Sequence, residues 1–180
     1  TINWLQSVDI DPWTTFTAIY QVYVPDANFR AELIASYGVT FDTNNETPST
    51  SVNTITDLQL YQKNISDLTG ISGFTALEIL FVRDNQLTSL DVSQNTLLTH
   101  LYCGVNQLTS LDVSNNPNLL TLYCHVNQLT SLDLSSNTAL KNIACRNNQL
   151  TSLDLSNNPN IIGVECSTNP ITSVNLTNCT

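Results

Sequence analysis

Basic side chains are scarce in this sequence. Five lysines and arginines stand against fifteen aspartates and glutamates, a formal net charge of −10 over 180 residues. A chain with that balance repels phosphate backbones, which argues against nucleic acid as a partner. Charge of either sign is thin, at 11% of residues against a usual quarter. Asparagine, threonine and serine supply the missing polarity. No apolar run approaches the ~20 residues of a membrane-spanning helix, so no membrane insertion is expected. Methionine is absent, and no basic segment precedes an apolar stretch at the start of the chain. The N-terminus is therefore read as a mature or trimmed end without an export signal, a reading compatible with secretion. Only two histidines occur, and no Cys-x-x-Cys pair, so a zinc site has no ligand spacing to build on.

What is present is repetition. The stretch NQLTSLDVSNNPNLLTLYCHV at 106–126 follows NQLTSLDVSQNTLLTHLYCGV and precedes NQLTSLDLSSNTALKNIACRN. Aligned, the copies put Leu77, Leu98, Leu119, Leu140 and Ile161 in one column, and Leu80, Leu101, Leu122, Ile143 and Val164 in the next. Val82, Cys103, Cys124, Cys145 and Cys166 follow, then Asn85, Asn106, Asn127, Asn148 and Asn169, then Leu87, Leu108, Leu129, Leu150 and Ile171. LxxLxLxxNxL at a fixed period marks a solenoid.

The columns have a physical meaning. Leu101-Tyr102-Cys103 alternates in-out-in, a short strand with one face buried. The asparagine belongs inside the turn, where its amide bonds backbone groups that a curving coil leaves unpaired. One coil buries about six apolar side chains at roughly 1.5–3 kcal/mol each, while ordering costs roughly 1.5 kcal/mol per residue, so coils are stable only when stacked. Leu111-Asp112-Val113 and its counterparts alternate again, which predicts a second extended segment on the opposite wall. Thr-Ser before it and Ser-Asn-Asn-Pro after it are poor helix formers, so the section is strands and turns.

These residues resemble the 21-residue class of bacterial leucine-rich repeats, in particular the surface and secreted repeat proteins of Bacteroidetes-type bacteria. ISDLTGISGFTALEIL, from Ile65 to Leu80, is similar to the 22-residue internalin-type coil that opens such arrays. VYVPDANFRAELI, from Val22 to Ile34, resembles the helical cap ahead of them. The resemblance implies a right-handed leucine-rich-repeat solenoid with a short helical N-terminal cap, used for binding and adhesion. Relatives often carry an Asp-rich, calcium-loop-like segment after the cap; FDTNNETPSTSVN holds too few carboxylates there to carry that site over.

The expected organisation is a cap over 1–54, with a helix at about 26–37 and a polar loop after it, and a repeat array over 55–180. Eight aromatics crowd residues 1–41, among them Trp4, Trp13, Phe16 and Tyr20, and are read as a plug over the first coil, with a separate aromatic ligand site as the alternative. Asp26 is the expected N-cap, Phe29, Leu33, Ile34 and Tyr37 the buried stripe, and Gly38 the stop. At the far end Cys179 takes the place that Asn95, Asn116, Asn137 and Asn158 hold in their repeats, so the last coil is a degenerate lid or the edge of a longer array.

Candidate chemistry is sparse. The recurring cysteines read as small, soft core residues whose side chains point the same way, a geometry that suits disulfides badly. Asp91, Asp112, Asp133 and Asp154 form an outward stripe, read as a solvated wall, with calcium bridging as the alternative. A threonine column at 88, 109, 130, 151 and 172 would suit an ice lattice, but the neighbouring carboxylates argue against it. His100 and His125 sit four strand positions apart and no nucleophile stands out, so no enzyme is expected and no cofactor or metal is assigned.

The repeat stops repeating on the outward face of the first strand. Phe81, Tyr102, Tyr123, Ala144 and Glu165 form one column there, and Arg83, Gly104, His125, Arg146 and Ser167 the next. His100 leads a third. Aromatics beside arginines have the composition of interface hot spots. Phe81, Arg83, His100, Tyr102, Tyr123, His125 and Arg146 are therefore the candidate ligand-binding residues. The expected function is a non-enzymatic, extracellular bacterial recognition or adhesion module for a host or bacterial surface protein. Glycan capture on Phe81, Tyr102 and Tyr123 and a structural spacer in a larger surface protein are the alternatives.

Overall fold

A computed structural model describes residues 20–179. Trp4, Trp13 and Phe16, and with them much of the expected aromatic plug, lie outside the described residues.

The chain enters through strand β1 (Gln21–Tyr23), helix α1 (Ala27–Tyr37) and strand β2 (Glu46–Pro48), with β1 and β2 pairing antiparallel. Eight short strands follow: β3 (Asp57–Gln59), β4 (Ile79–Phe81), β5 (His100–Tyr102), β6 (Thr121–Tyr123), β7 (Asn142–Ala144) and β9 (Gly163–Glu165) on one wall, with β8 (Ser152–Asp154) and β10 (Ser173–Asn175) on the opposite wall. β3, β4, β5, β6, β7 and β9 make one six-stranded parallel sheet in that order, each strand one coil. Leu58 pairs with Leu80, then Leu101, Leu122, Ile143 and Val164 in register. The fold is a leucine-rich-repeat solenoid.

The core is the stacked interior of the coils. Leu58, Leu80, Leu101 and Leu122 are fully buried beneath the sheet, and Cys103, Cys124 and Cys145 line up two positions on. All five cysteines are free. Two asparagine ladders hold the turns. Asn127 donates from Nδ2 to the carbonyls of Cys103 and Cys124, at 3.1 and 3.0 Å, while its Oδ1 accepts from Leu108 N at 3.0 Å. Every coil from Asn106 to Asn169 repeats that set. On the other wall Asn95, Asn116, Asn137 and Asn158 donate to two carbonyls each. Cys179 continues that second ladder with its thiol, a weaker donor, at 3.4 Å from Leu155 O.

The aspartate stripe has a structural job. In each coil the Asp side chain accepts the backbone N–H of the serine two residues on, at 2.9 Å, closing an Asx turn. Those bonds to backbone and serine hydroxyl hold the four carboxyls below their ordinary range. Among the described residues no group of three or more His, Cys, Asp or Glu side chains converges as metal ligands would.

Several local expectations need correcting. Ile34 is not in the buried stripe; it is 54% exposed, because α1 meets the first coil along the narrow line of Phe29, Leu33 and Tyr37. The stretch after the helix is not all loop, since Thr47 is buried in β2 and Val52 is buried beside it. The second wall forms regular strands only between β8 and β10, with an isolated bridge from Asp91 to Asp112. In the last coil Val164, Val174 and Leu176 keep the apolar pattern but are 37–51% exposed.

Asp26 does cap α1, and it does more. Oδ1 accepts from Asn28 and Phe29 N at 2.9 Å, while Oδ2 accepts from Ser66 N at 2.9 Å and Oγ at 3.0 Å. One carboxylate thus caps the helix and fastens it to the first coil. Phe29 stacks on Phe74 across that junction, ring centroids 6.1 Å apart. β1 can come close because Gly73 has no side chain: a Cβ there would sit 2.5 Å from Val22 Cγ2.

Candidate binding face

Because the middle residue of each sheet strand points inward, its two neighbours point outward from the sheet, and so does the residue two beyond the second of them. The outward columns of successive coils stand side by side, one strand spacing of roughly 4.8 Å apart. Sequence columns therefore become rows of touching side chains.

The aromatic column is continuous. Phe81 and Tyr102 have ring centroids 4.9 Å apart, tilted by 39°, and Tyr102 and Tyr123 are 5.3 Å apart, edge to face at 85°. His100 stacks on Tyr102 at 6.3 Å. Burial, with Tyr123 alongside, raises the Tyr102 phenol above its ordinary pKa. Each ring contact adds about 0.5–1.5 kcal/mol, so the row is ordered before any partner arrives.

Tyr61 belongs to the row and was not among the expected residues. Its ring meets Phe81 edge-on at 5.9 Å, and the Arg83 guanidinium lies 5.8 Å from its centre. The signal was available, since Tyr61 is 22 residues before Arg83, the spacing of the first coil.

Of the seven expected residues, Phe81, Arg83, His100, Tyr102, Tyr123 and Arg146 reach the face half-buried. His125 is different. Only 6% of it is exposed, because its ring lies flat in the space above buried Gly104. A Cβ at 104 would fall 2.6–2.9 Å from three ring atoms. The buried Nδ1 of His125 has no hydrogen-bond partner. Burial, then Arg146 and Arg83, push its pKa below the usual histidine value, against the weaker pull of Glu165 and Asp84. Arg83 Nε faces Asp84 at 3.6 Å and Arg146 Nε faces Glu165 at 3.6 Å, both beyond hydrogen-bond distance.

A groove of about 600 Å³ opens elsewhere, between the cap and the first coils, lined by Tyr20, Tyr23, Ser49, Asn53, Ser72 and Gln94 among others. Its residues come from four separated segments and share no repeat column, so no sequence pattern announces it.

No protein-family model matches the chain. Over 81 residues it is 37% identical to Internalin J of Listeria monocytogenes serotype 4b (strain F2365), a match covering 44% of this chain and 8% of that protein. A solved structure of the functional domain of InlJ from Listeria monocytogenes, described as including a cysteine ladder, superposes with a TM-score of 0.80 at 36% identity. It covers 88% of this chain and 36% of the domain. These repeats are internalin-like. An internalin, InlF, from Listeria monocytogenes strain 4b F2365 gives a TM-score of 0.73 at 25% identity, over 83% of this chain and 45% of that one. The chain thus spans less than half the length of each of these relatives.

Proposed function

We propose that this chain is a non-enzymatic recognition module, acting outside or on the surface of a bacterial cell, that binds a protein partner through the outer face of its six-stranded sheet. The observation that carries the reading is the row Tyr61, Phe81, Tyr102 and Tyr123, contiguous at 4.9–5.9 Å between centroids on the one face where the repeat varies. Ordered aromatics flanked by Arg83 and Arg146 give large contact area at little entropic cost. The likeness to internalins supports the same reading. So does the LRIM1/APL1C complex, an assembly of proteins whose structure matches 70% of this chain at 26% identity and a TM-score of 0.61.

Ring orientation favours protein over glycan. A sugar-stacking platform needs exposed ring faces lying in one plane, whereas Tyr61 and Phe81 meet at 79° and Tyr102 and Tyr123 at 85°. Those rings cover each other's faces with edges.

The test is a pull-down from surface-protein extracts followed by titration of the recovered partner. Tyr102→Ala is expected to weaken binding at least 30-fold, the loss of a hot-spot anchor worth about 2 kcal/mol. Asp112→Ala on the opposite wall should leave affinity unchanged. Equal losses from both walls, or binding to a glycan array and to no protein, would overturn the reading.

A further inference from the structure

The groove between the cap and the first coils carries no charge. Its volume of about 600 Å³ is that of a pocket for a small organic molecule. None of its described lining residues is Asp, Glu, Lys or Arg, in a chain with fifteen acidic residues and a net charge of −10. Its sides are held by direct contacts. Ser49 N donates to Tyr20 O at 2.7 Å and Tyr20 N to Ser49 Oγ at 3.3 Å, which fastens Tyr20 to the segment after β2. On the side of the array, Gly70 and Gly73 meet β1. A Cβ on Gly70 would fall 2.6 Å from Tyr23 O, and one on Gly73 would fall 2.5 Å from Val22 Cγ2.

The polar side chains along the groove are uncommitted. Those of Tyr20, Asn53, Ser72 and Thr75 make no hydrogen bond or ring contact with any other described residue, and Gln94 reaches only Ser93 Oγ, at 3.5 Å. Tyr20 is 72% exposed, so its ring is open to a ligand. An ion entering the groove would find no counter-charge. An extended peptide fits no better. Pairing with β2 uses the backbone groups of Tyr20, Val22 and Val24, so an added strand would have to bond Gln21 and Tyr23 along the other edge of β1. Gly70 stands against Tyr23 O and closes that edge.

We infer that this groove is a binding site for a neutral saccharide, with Tyr20 as the stacking ring and Asn53, Ser72, Thr75 and Gln94 as partners for the sugar hydroxyls. The C–H face of a pyranose lies on the electron-rich face of an aromatic ring. Its hydroxyls each donate and accept, as the facing amides and hydroxyls do, so both sides can be satisfied without any charge. The site is separate from the aromatic row on the outer face of the sheet, where rings that meet edge to face suit a sugar badly. It adds a second ligand class to the chain, and either site can fail alone.

Lactose, maltose, cellobiose and N,N′-diacetylchitobiose serve as probes, titrated against the full chain with saturation-transfer NMR, and sialyllactose is the charged counterpart of lactose. At least one neutral disaccharide is expected to bind saturably at millimolar concentration, with the strongest transfer to its ring C–H protons. Tyr20→Ala should weaken that binding at least tenfold and Tyr20→Phe less than twofold, because the ring is kept. Asn53→Ala and Gln94→Ala should each weaken it at least threefold, in proteins whose melts match the wild type. Tyr102→Ala on the sheet face should leave it unchanged. No saturable binding of any of the four sugars would overturn the site; because the full chain is used, anything of its own that fills the groove gives that same result. Binding that survives Tyr20→Ala would also overturn it, and sialyllactose binding more tightly than lactose would overturn the neutral assignment. Sugar binding abolished by Tyr102→Ala and untouched by Tyr20→Ala would move the sugar to the sheet face and remove the groove.

Discussion

The imidazole of His125 lies flat over the backbone of Gly104, one coil before it, in the volume a side chain at 104 would occupy. The two residues are partners in packing although they stand 21 positions apart. Gly104→Ala would place a Cβ 2.6–2.9 Å from the ring, so the ring must swing out into solvent. The expected cost is about 1–3 kcal/mol, as for other overpacked sites. The expected signature is a histidine titration that climbs back toward ~6.5. In the wild type the folded-state value is depressed below the unfolded one, so stability contributed by the neutral ring is lost as pH falls through the histidine range. Gly104→Ala should flatten that slope, which urea titrations at pH 7.5 and 5.5 would read directly.

Backbone strain gives a second expectation. The residue before each ladder asparagine sits in the left-handed region: Asp84, Val105, Val126, Asn147 and Thr168, with φ between 53° and 57°. Aspartate and asparagine tolerate that conformation, but a β-branched valine does not, at a cost of roughly 1–2 kcal/mol. Val126 is 37% exposed, so little packing would be lost with it. Val126→Asn should therefore raise stability by roughly 0.5–1 kcal/mol, seen as a higher urea midpoint at unchanged slope. No gain would mean that the valine contacts offset the strain.

The same valines show how much of the molecule was legible in the sequence. Leu101, Cys103, Asn106 and Leu108 announced the coil because each column carries one chemistry through every repeat, and the structure buries or bonds them as that chemistry requires. The aromatic row was legible for the same reason, since a column of a solenoid becomes a line of neighbours. Val126 was not, because nothing in a valine signals a left-handed turn. His125 was misplaced as an open surface group, because its burial depends on what Gly104 lacks. Ile34 shares a helical stripe with Leu33, yet the coil beneath α1 is too narrow to cover both. β2 was read as loop because Glu46-Thr47-Pro48 has no strand pattern of its own and pairs only because β1 offers an edge.

The five cysteines should divide into two classes. Cys103 and Cys145 are buried, and that burial pushes each thiol up to about 12; Cys124 between them is also raised well above its ordinary value by burial and then by its two neighbours. Thiolate is the reactive form, so all three should label slowly in the native protein. Cys166 and Cys179 are partly exposed in the last coil and should label first. Mass spectrometry of a timed alkylation at pH 8 distinguishes the classes, and rapid modification of Cys124 in the folded state would contradict the packing of the ladder.

Asp26 is the most exacting test of how the cap is held. Its carboxylate accepts from two helix amides and from the backbone and hydroxyl of Ser66, with Asp67 N at 3.2 Å as a further donor. Burial alone would raise its pKa, but the bonds from Ser66, Phe29 and Asp67 outweigh it and bring the group below the ordinary value. A depressed carboxyl stabilises the fold fully above its unfolded pKa, and the contribution is lost as pH falls through the folded one. The cap should therefore loosen below about pH 4, together with the Asx turns of Asp91, Asp112, Asp133 and Asp154, whose carboxyls are lowered likewise. Asp26→Ala removes the N-cap and the tie to the first coil at once, for an expected loss of about 2–3 kcal/mol at pH 7. Asp26→Asn keeps a capping oxygen and loses the charge, so it should fall between the two. Hydrogen exchange would locate the damage: faster exchange in α1 and at Ser66 and Asp67, with Leu101 and Leu122 unchanged. A loss spread evenly along the solenoid would show instead that cap and coils unfold as one unit and that Asp26 is not a local fastening.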